Sequence, residues 1–258
     1  MIKFDFHTHT KYSHGKGTII ENAIAAKEKN LSGIAITDHG SGHPIFGVTS
    51  RELDKMKREC VVAQEQTGVE VLLGVEANIL GISGKIDMKE KDFGKIDCLL
   101  AGAHRFILYD GLKEWINLGA KNMFTQMKKS KTPSQKLYKR NTEVYINVIK
   151  NNPIDILTHL NYGIFSDPIE VAKCCEDYGT YLEISTKKVH LSDEDWQNII
   201  DKTNVNFVIN SDAHSVDRIG DTVLAEELLQ RVSFPLERIK NINGKPEFLR
   251  FGEFKKSL

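Results

Sequence analysis

A mainly parallel α/β fold is what this sequence predicts, closed into a barrel or, as the alternative, left open as a doubly wound sheet. Three observations carry that expectation. Short apolar runs, most of them rich in Ile, Val, Leu or Phe, recur at residues 2–6, 33–37, 69–74, 97–102, 155–158, 180–184 and 206–210, and are too short for helices. Helical stretches fall between most of them. The chain has 258 residues, enough for one large domain with a sizeable core, and no linker, low-complexity tract or internal repeat divides it.

Taken in order, the elements carry their own signals. After the run at 2–6, Thr18 and Glu21 have the spacing of a capping box, in which each side chain satisfies a free backbone donor of the other. After the second run, Thr49 and Glu52 repeat it. Gly68, just before the third run, stands where a helix should stop. The stretch 105–150, after the fourth run, is polar and basic in its middle (Lys128, Lys129, Lys131, Lys136, Lys139, Arg140). It reads as a helical insertion of two helices beside the barrel with a loop around 130–134, either a solvated helical face or a mobile lid. After the fifth run, Asp167, Pro168 and Glu170 offer an N-cap, a proline suited to the first turn and an acid near the positive helix end. Gly179 is the next stop signal, and Ser192 with Asp195 marks another start. Trp115 and Trp196 fall in predicted helices and read as packing residues. Residues 1–258 are therefore expected to form a single domain with its insertion at about 105–150.

Composition narrows the function. The charges balance at 35 basic and 35 acidic residues, whereas a nucleic-acid binder would usually show a basic excess. The N-terminal MIKFDFHTHT has no apolar core or small-residue cleavage site, so no signal peptide is expected. No apolar stretch approaches the ~18 residues of a spanning helix. Cys60, Cys98, Cys174 and Cys175 fit no CxxC metal site, and reduced thiols in a cytoplasmic protein are the expectation.

The histidines point to chemistry. His7 and His9 follow the first run, His39 the second, His104 the fourth, His159 the fifth and His214 the seventh; His14 lies in the first loop. Glu76 follows the third run and Asp212 the seventh. In a parallel barrel all C-terminal strand ends open onto one face, so residues far apart in sequence should converge there. Core packing does not explain a set placed at strand ends rather than on helix faces. Imidazole and carboxylate without thiolate suit zinc, iron or manganese. His7 and His9, at i and i+2 on a strand, can chelate one ion together.

These residues resemble the PHP (polymerase and histidinol phosphatase) family, and are most similar to its small stand-alone bacterial phosphatases. Phe6-His7-Thr8-His9-Thr10 resembles the first motif, Ile36-Thr37-Asp38-His39-Gly40 the second, His104 the third and Asn210-Ser211-Asp212-Ala213-His214 the fourth. Gly74-Val75-Glu76-Ala77-Asn78 and Thr158-His159 also fit, and the resemblance runs from residue 2 to about 242. It implies a distorted seven-stranded (β/α) barrel and a site of two to three divalent transition-metal ions: zinc first, manganese or iron as alternatives. By position it implies His7, His9, Glu76 and Asp212 around one ion, Glu76 bridging to a second held with His104 and His159, and His14, His39 and His214 around a third. The 105–150 segment is longer than in the smallest relatives.

The implied reaction is hydrolysis of a small phosphomonoester by metal-activated water, histidinol phosphate being one candidate. Asp38 is expected either to orient a ligand histidine or to donate a proton, and Arg105 to clamp phosphate. Lys187, Lys188 and Arg218 also follow strand ends and are weaker candidates for that role. His43, in the loop after His39, either faces the substrate or is a plain surface residue, and His190 reads as a surface residue. The alternatives are a nuclease-like phosphodiesterase acting on DNA ends or oligonucleotides, which the 128–140 basic cluster keeps open, and a non-catalytic metal-stabilised module.

Overall fold

Seven parallel strands lie side by side in sequence order in the computed structural model, which describes residues 2–128 and 132–256. The elements are β1 Phe4–Thr8, α1 Ile19–Glu28, β2 Gly33–Ile36, α2 Ser50–Thr67, β3 Glu70–Asn78, β4 Cys98–Gly102, α3 Leu112–Glu114, α4 Lys121–Met127, α5 Gln135–Asn151, β5 Ile156–Leu157, α6 Pro168–Tyr178, β6 Tyr181–Ser185, α7 Asp193–Lys202, β7 Phe207–Asn210, α8 Val223–Arg231 and α9 Leu249–Lys256. An order of β1 to β7 without reversal has no switch point, which excludes the doubly wound alternative.

The ring closes between β7 and β1, mostly through side chains. Thr8 bridges to Ala213 just beyond β7. The Asn210 amide oxygen accepts from the Phe6 N–H at 3.0 Å. Lower down, the fully buried Asn241 amide spans the gap. Its nitrogen donates to the Phe4 carbonyl (2.8 Å) and the Ile209 carbonyl (2.6 Å), and its oxygen accepts from the Ile209 N–H (3.0 Å). One side chain thus stands in for a missing ladder.

Local signals are realised as chemistry requires. Thr18–Glu21, Thr49–Glu52 and Ser192–Asp195 are reciprocal capping boxes. Asp167 caps α6 with Pro168 in its first turn, and Gly68 and Gly179 take the left-handed conformation that ends α2 and α6. In the insertion, a π-helical stretch Trp115–Ala120 joins α3 to α4, and α5 buries Val144, Tyr145, Val148 and Ile149. Trp196 is buried, but Trp115 is 52% exposed: the expectation of a packed Trp115 is wrong, because the π-helical stretch it opens packs through Leu118 and leaves the ring in solvent. Lys129, Ser130 and Lys131, part of the expected loop and basic cluster, lie outside the described residues.

Two apolar layers result. Phe4, Phe6, Ala35, Leu72, Leu100, Ile156 and Val208 fill the barrel interior, with Phe248 edge-on to Phe6 (5.1 Å). The larger layer lies between strands and helices. Among the described residues no helix is long and apolar enough to cross a membrane. The four cysteines are unpaired and buried.

Candidate metal centre

Alternation along the strands builds the site. Inward residues change from apolar to small or polar to ligand in steps of two: Leu72, Gly74, Glu76 along β3; Leu100, Gly102, His104 along and beyond β4; Val208, Asn210, Asp212 along and beyond β7. β1 departs from this. Phe4 and Phe6 face inward, so simple alternation would turn His7 out. The β1–β2 register slips between Asp5↔Ile34 and Thr8↔Ile36, three steps against two. That bulge inserts His7, so that Phe6, His7 and His9 all reach the interior. Asp5 sits beneath it, accepting from the His7 N–H (3.4 Å), the Ser211 N–H (3.1 Å) and the Gly220 N–H (2.8 Å).

Glu76 lies at the centre, 1% exposed. One carboxylate oxygen is 2.8 Å from His159 Nε2 and 3.0 Å from His104 Nε2. The other is 3.0 Å from His39 Nδ1, 3.2 Å from His7 Nε2 and 3.4 Å from His9 Nε2. Asp212 Oδ1 is 3.3 Å from His214 Nδ1, 3.4 Å from His9 Nε2 and 3.7 Å from His7 Nε2. His14 Nε2 meets His214 Nε2 at 2.5 Å. The structure therefore brings together His7, His9, His14, His39, Glu76, His104, His159, Asp212 and His214. His7, His9 and Glu76 form one convergent group. His39 converges both with His9 and His214 and with Glu76 and His104, and His7 also converges with His159 and Asp212.

These atoms aim at common points rather than at one another. Glu76 Oε2 and His39 Nδ1 are 3.0 Å apart, yet each is buried without a hydrogen bond. His7 and His9 bring Nε2 atoms to 3.1 Å, where two neutral rings can share only one proton. A cation among them satisfies all these lone pairs at once, so the donor set fits metal ions. The electrostatics agree. Burial pushes His104 down to about 4 and His14, with help from His214 and His39, down to about 3, leaving neutral imidazoles, the form that ligates. Burial would raise Glu76, but His104, His7 and His39 hold it well below the usual carboxylate range. Burial would likewise lower His7, but Glu76, Glu183 and Asp212 together push it well above its ordinary value, a sign of unmet demand for positive charge. His159 and Asp212 hold φ values of +26° and +48°, strain of the kind that gathers at functional sites.

A cavity of about 510 Å³ opens over the cluster. Arg105, Lys187 and Lys188 line it, as do His43, for which the sequence left a substrate-facing position open, and His190, which read as a surface residue. Lys187 Nζ is 3.3 Å from Asp212 and 3.1 Å from His214 Nδ1. Arg218 does not line it: its guanidinium pairs with Asp221 (2.7 Å) and donates to the Thr186 carbonyl (3.1 Å). Asp38 is also absent from the lining. It accepts from the Thr10 N–H (2.7 Å), the Thr10 hydroxyl (2.5 Å) and Ser13, and lies 3.9 Å from His9 Nδ1, pinning the first loop beside the ligands.

Sequence reasoning missed Glu183. Fully buried, it accepts from His7 Nδ1 (2.8 Å), the His159 N–H (2.8 Å) and Asn210 Nδ2 (2.9 Å). A lone carboxylate inside the apolar run 180–184 was the available signal.

Comparison with known proteins agrees with this geometry. Residues 5–192 match the PHP domain family. A probable phosphatase of Caldanaerobacter subterraneus subsp. tengcongensis is 32% identical over 93% of this chain and 87% of its own. A probable phosphatase of Vibrio vulnificus is 31% identical over 98% of this chain and 94% of its own. In fold, the chain is similar to histidinol phosphate phosphatase from Lactococcus lactis, solved with zinc, L-histidinol and phosphate (TM-score 0.55, 12% identity, 90% of this chain and 94% of that one).

Proposed function

This chain belongs to the PHP domain family, and on that premise we propose that it is a metal-dependent phosphatase hydrolysing a small phosphomonoester. The observation that carries the reading is the Glu76 carboxylate, with histidines from four different strand ends at 2.8–3.4 Å around its two oxygens. His7, His9, Glu76 and Asp212 would hold one ion, Glu76 with His104 and His159 a second, and His14, His39 and His214 a third, with zinc preferred over manganese or iron. Such ions would lower the pKa of water and neutralise charge on the phosphoryl group.

The chain's own groups do the rest. Glu183 accepts from His7 Nδ1, which leaves Nε2 free toward the cluster. Asp38 acts by holding the first loop, and with it His14, in place. Arg105 binds anion at the mouth. The cavity volume suits a small molecule, and with zero net charge this favours a phosphomonoester over a nucleic-acid strand. The chain acts as one barrel domain with an insertion at 105–150, and four unpaired thiols suit the cytoplasm.

The test is elemental analysis of protein purified without chelator, alongside hydrolysis of an aryl phosphate before and after chelation. Two to three transition-metal ions per chain and metal-restored hydrolysis are expected, both lost in Asp212→Ala. Full activity in Asp212→Ala, or hydrolysis indifferent to chelation, refutes the reading.

A further inference from the structure

We infer that the substrate carries a second anionic group on its leaving side, a carboxylate or another phosphate. The inference rests on the phosphatase reading above and concerns the part of the cavity beyond the metal ligands. Among the described residues the only carboxylates lining that cavity are Glu76 and Asp212, and both belong to the buried ligand cluster. Every other charged lining residue is a cation: Arg105 after β4, and Lys187 and Lys188 after β6. Lys187 already faces Asp212. Arg105 and Lys188 are exposed at the mouth, and neither pairs with a carboxylate among the described residues.

Depth assigns these cations their partner. The scissile phosphate must reach the buried ligands at the cavity floor. The ester's remaining part then points up toward the mouth, where Arg105 and Lys188 stand on loops of different strands. Unpaired cations at that height match an anion carried by the leaving group, Arg105 through its planar fork and Lys188 as a point charge. A leaving group with an ammonium would meet like charge from both and no carboxylate to offset it. The ring faces of Phe106 and Tyr162, also in the lining, attract a cation too weakly to reverse that balance.

The test compares three phosphomonoesters of similar size on the metal-loaded protein, with an aryl phosphate as the basal control: 3-phosphoglycerate, glycerol phosphate and phosphoethanolamine. The expected order of kcat/KM is anionic, neutral, cationic, spanning about tenfold or more and narrowing as salt is added. In Arg105→Ala and Lys188→Ala, kcat/KM for 3-phosphoglycerate should fall about tenfold further than for glycerol phosphate. Calorimetric binding of the non-hydrolysable pair 2-carboxyethylphosphonate and 2-aminoethylphosphonate should rank the same way. If phosphoethanolamine is hydrolysed as well as 3-phosphoglycerate while the control works, the second-anion inference fails and the phosphatase reading stands. Equal losses on all three esters in the alanine variants would place Arg105 and Lys188 on the scissile phosphate and overturn it. No hydrolysis of any ester by metal-loaded protein removes the phosphatase reading, and this inference with it.

Discussion

Replacing Glu183 by Gln should weaken metal binding without removing a single ligand. Glu183 accepts three hydrogen bonds: from His7 Nδ1 and Asn210 Nδ2 on one oxygen, and from the His159 N–H on the other. Glutamine keeps the shape but offers one accepting oxygen and one donating NH2. With its oxygen toward His7, the NH2 confronts the His159 N–H, and a buried donor is left unsatisfied at a residue already strained at φ +26°. With its NH2 toward His7, Nδ1 must become the acceptor and the proton moves to Nε2, the atom that faces Glu76 and His9. Either orientation costs about 1–3 kcal/mol. That corresponds to roughly 5–150-fold in metal affinity, a span that brackets the ~10–100-fold effect usual on losing the partner that orients a ligand histidine. Competition with a chromophoric chelator measures it independently of activity, and thermal unfolding reports whether the fold survives. A metal affinity within about twofold of the parent, in a folded variant, would refute this role for Glu183.

Three further outcomes follow from the geometry. Gly102→Ala should lower metal content with every ligand intact, because a Cβ there would lie 2.4 Å from Thr158 Oγ1, 2.7 Å from His159 Cε1 and 3.1 Å from Glu76 Oε1; unchanged stoichiometry and affinity would contradict it. Asn241→Leu should destabilise the fold by about 3 kcal/mol, since three buried hydrogen bonds across the β7–β1 seam vanish and backbone groups lose their partner; urea unfolding checks this, and a loss below about 0.5 kcal/mol would mean the seam holds without it. Asp155, beneath the barrel, has one oxygen bonded to the Leu99 N–H (2.9 Å) and one with no partner, and burial pushes it up to about 8 from its ordinary 3.8. A raised folded-state value means this group's contribution is fully present below pH 3.8 and lost as pH rises toward 8. Asp155→Asn should therefore flatten the decline in stability between those limits, measured as unfolding free energy against pH; identical slopes would refute it.

Most of the fold was legible because its signals are local. All seven strands lie within a few residues of the predicted runs, and the capping boxes and terminal glycines act over a single turn. Trp115 was misread because a large apolar ring in a helical stretch was taken for a packed one, whereas which face of the insertion is covered is set by tertiary packing, here through Leu118. That His43 faces the cavity was one of two readings open in the sequence, and that His190 does was not legible, because loop paths depend on tertiary packing. Glu183 was overlooked inside an apolar run, where its buried partners are supplied by β1, β7 and the end of β5.

The sequence by itself determined the alternation of strand and helix, the placement of His7, His9, His14, His39, Glu76, His104, His159, Asp212 and His214 at strand ends and in the first loop, and hence the chemistry those residues can perform. Periodicity and capping are written in neighbours. Tertiary structure alone decided closure into a ring, which rests on Asn210 and Asn241 bonding across a gap spanning most of the chain. It alone decided the β1 bulge that turns His7 inward, because register is a relation between two strands and not a property of either. It also decided the cationic mouth, since loops distant in sequence share a cavity only once the barrel has closed.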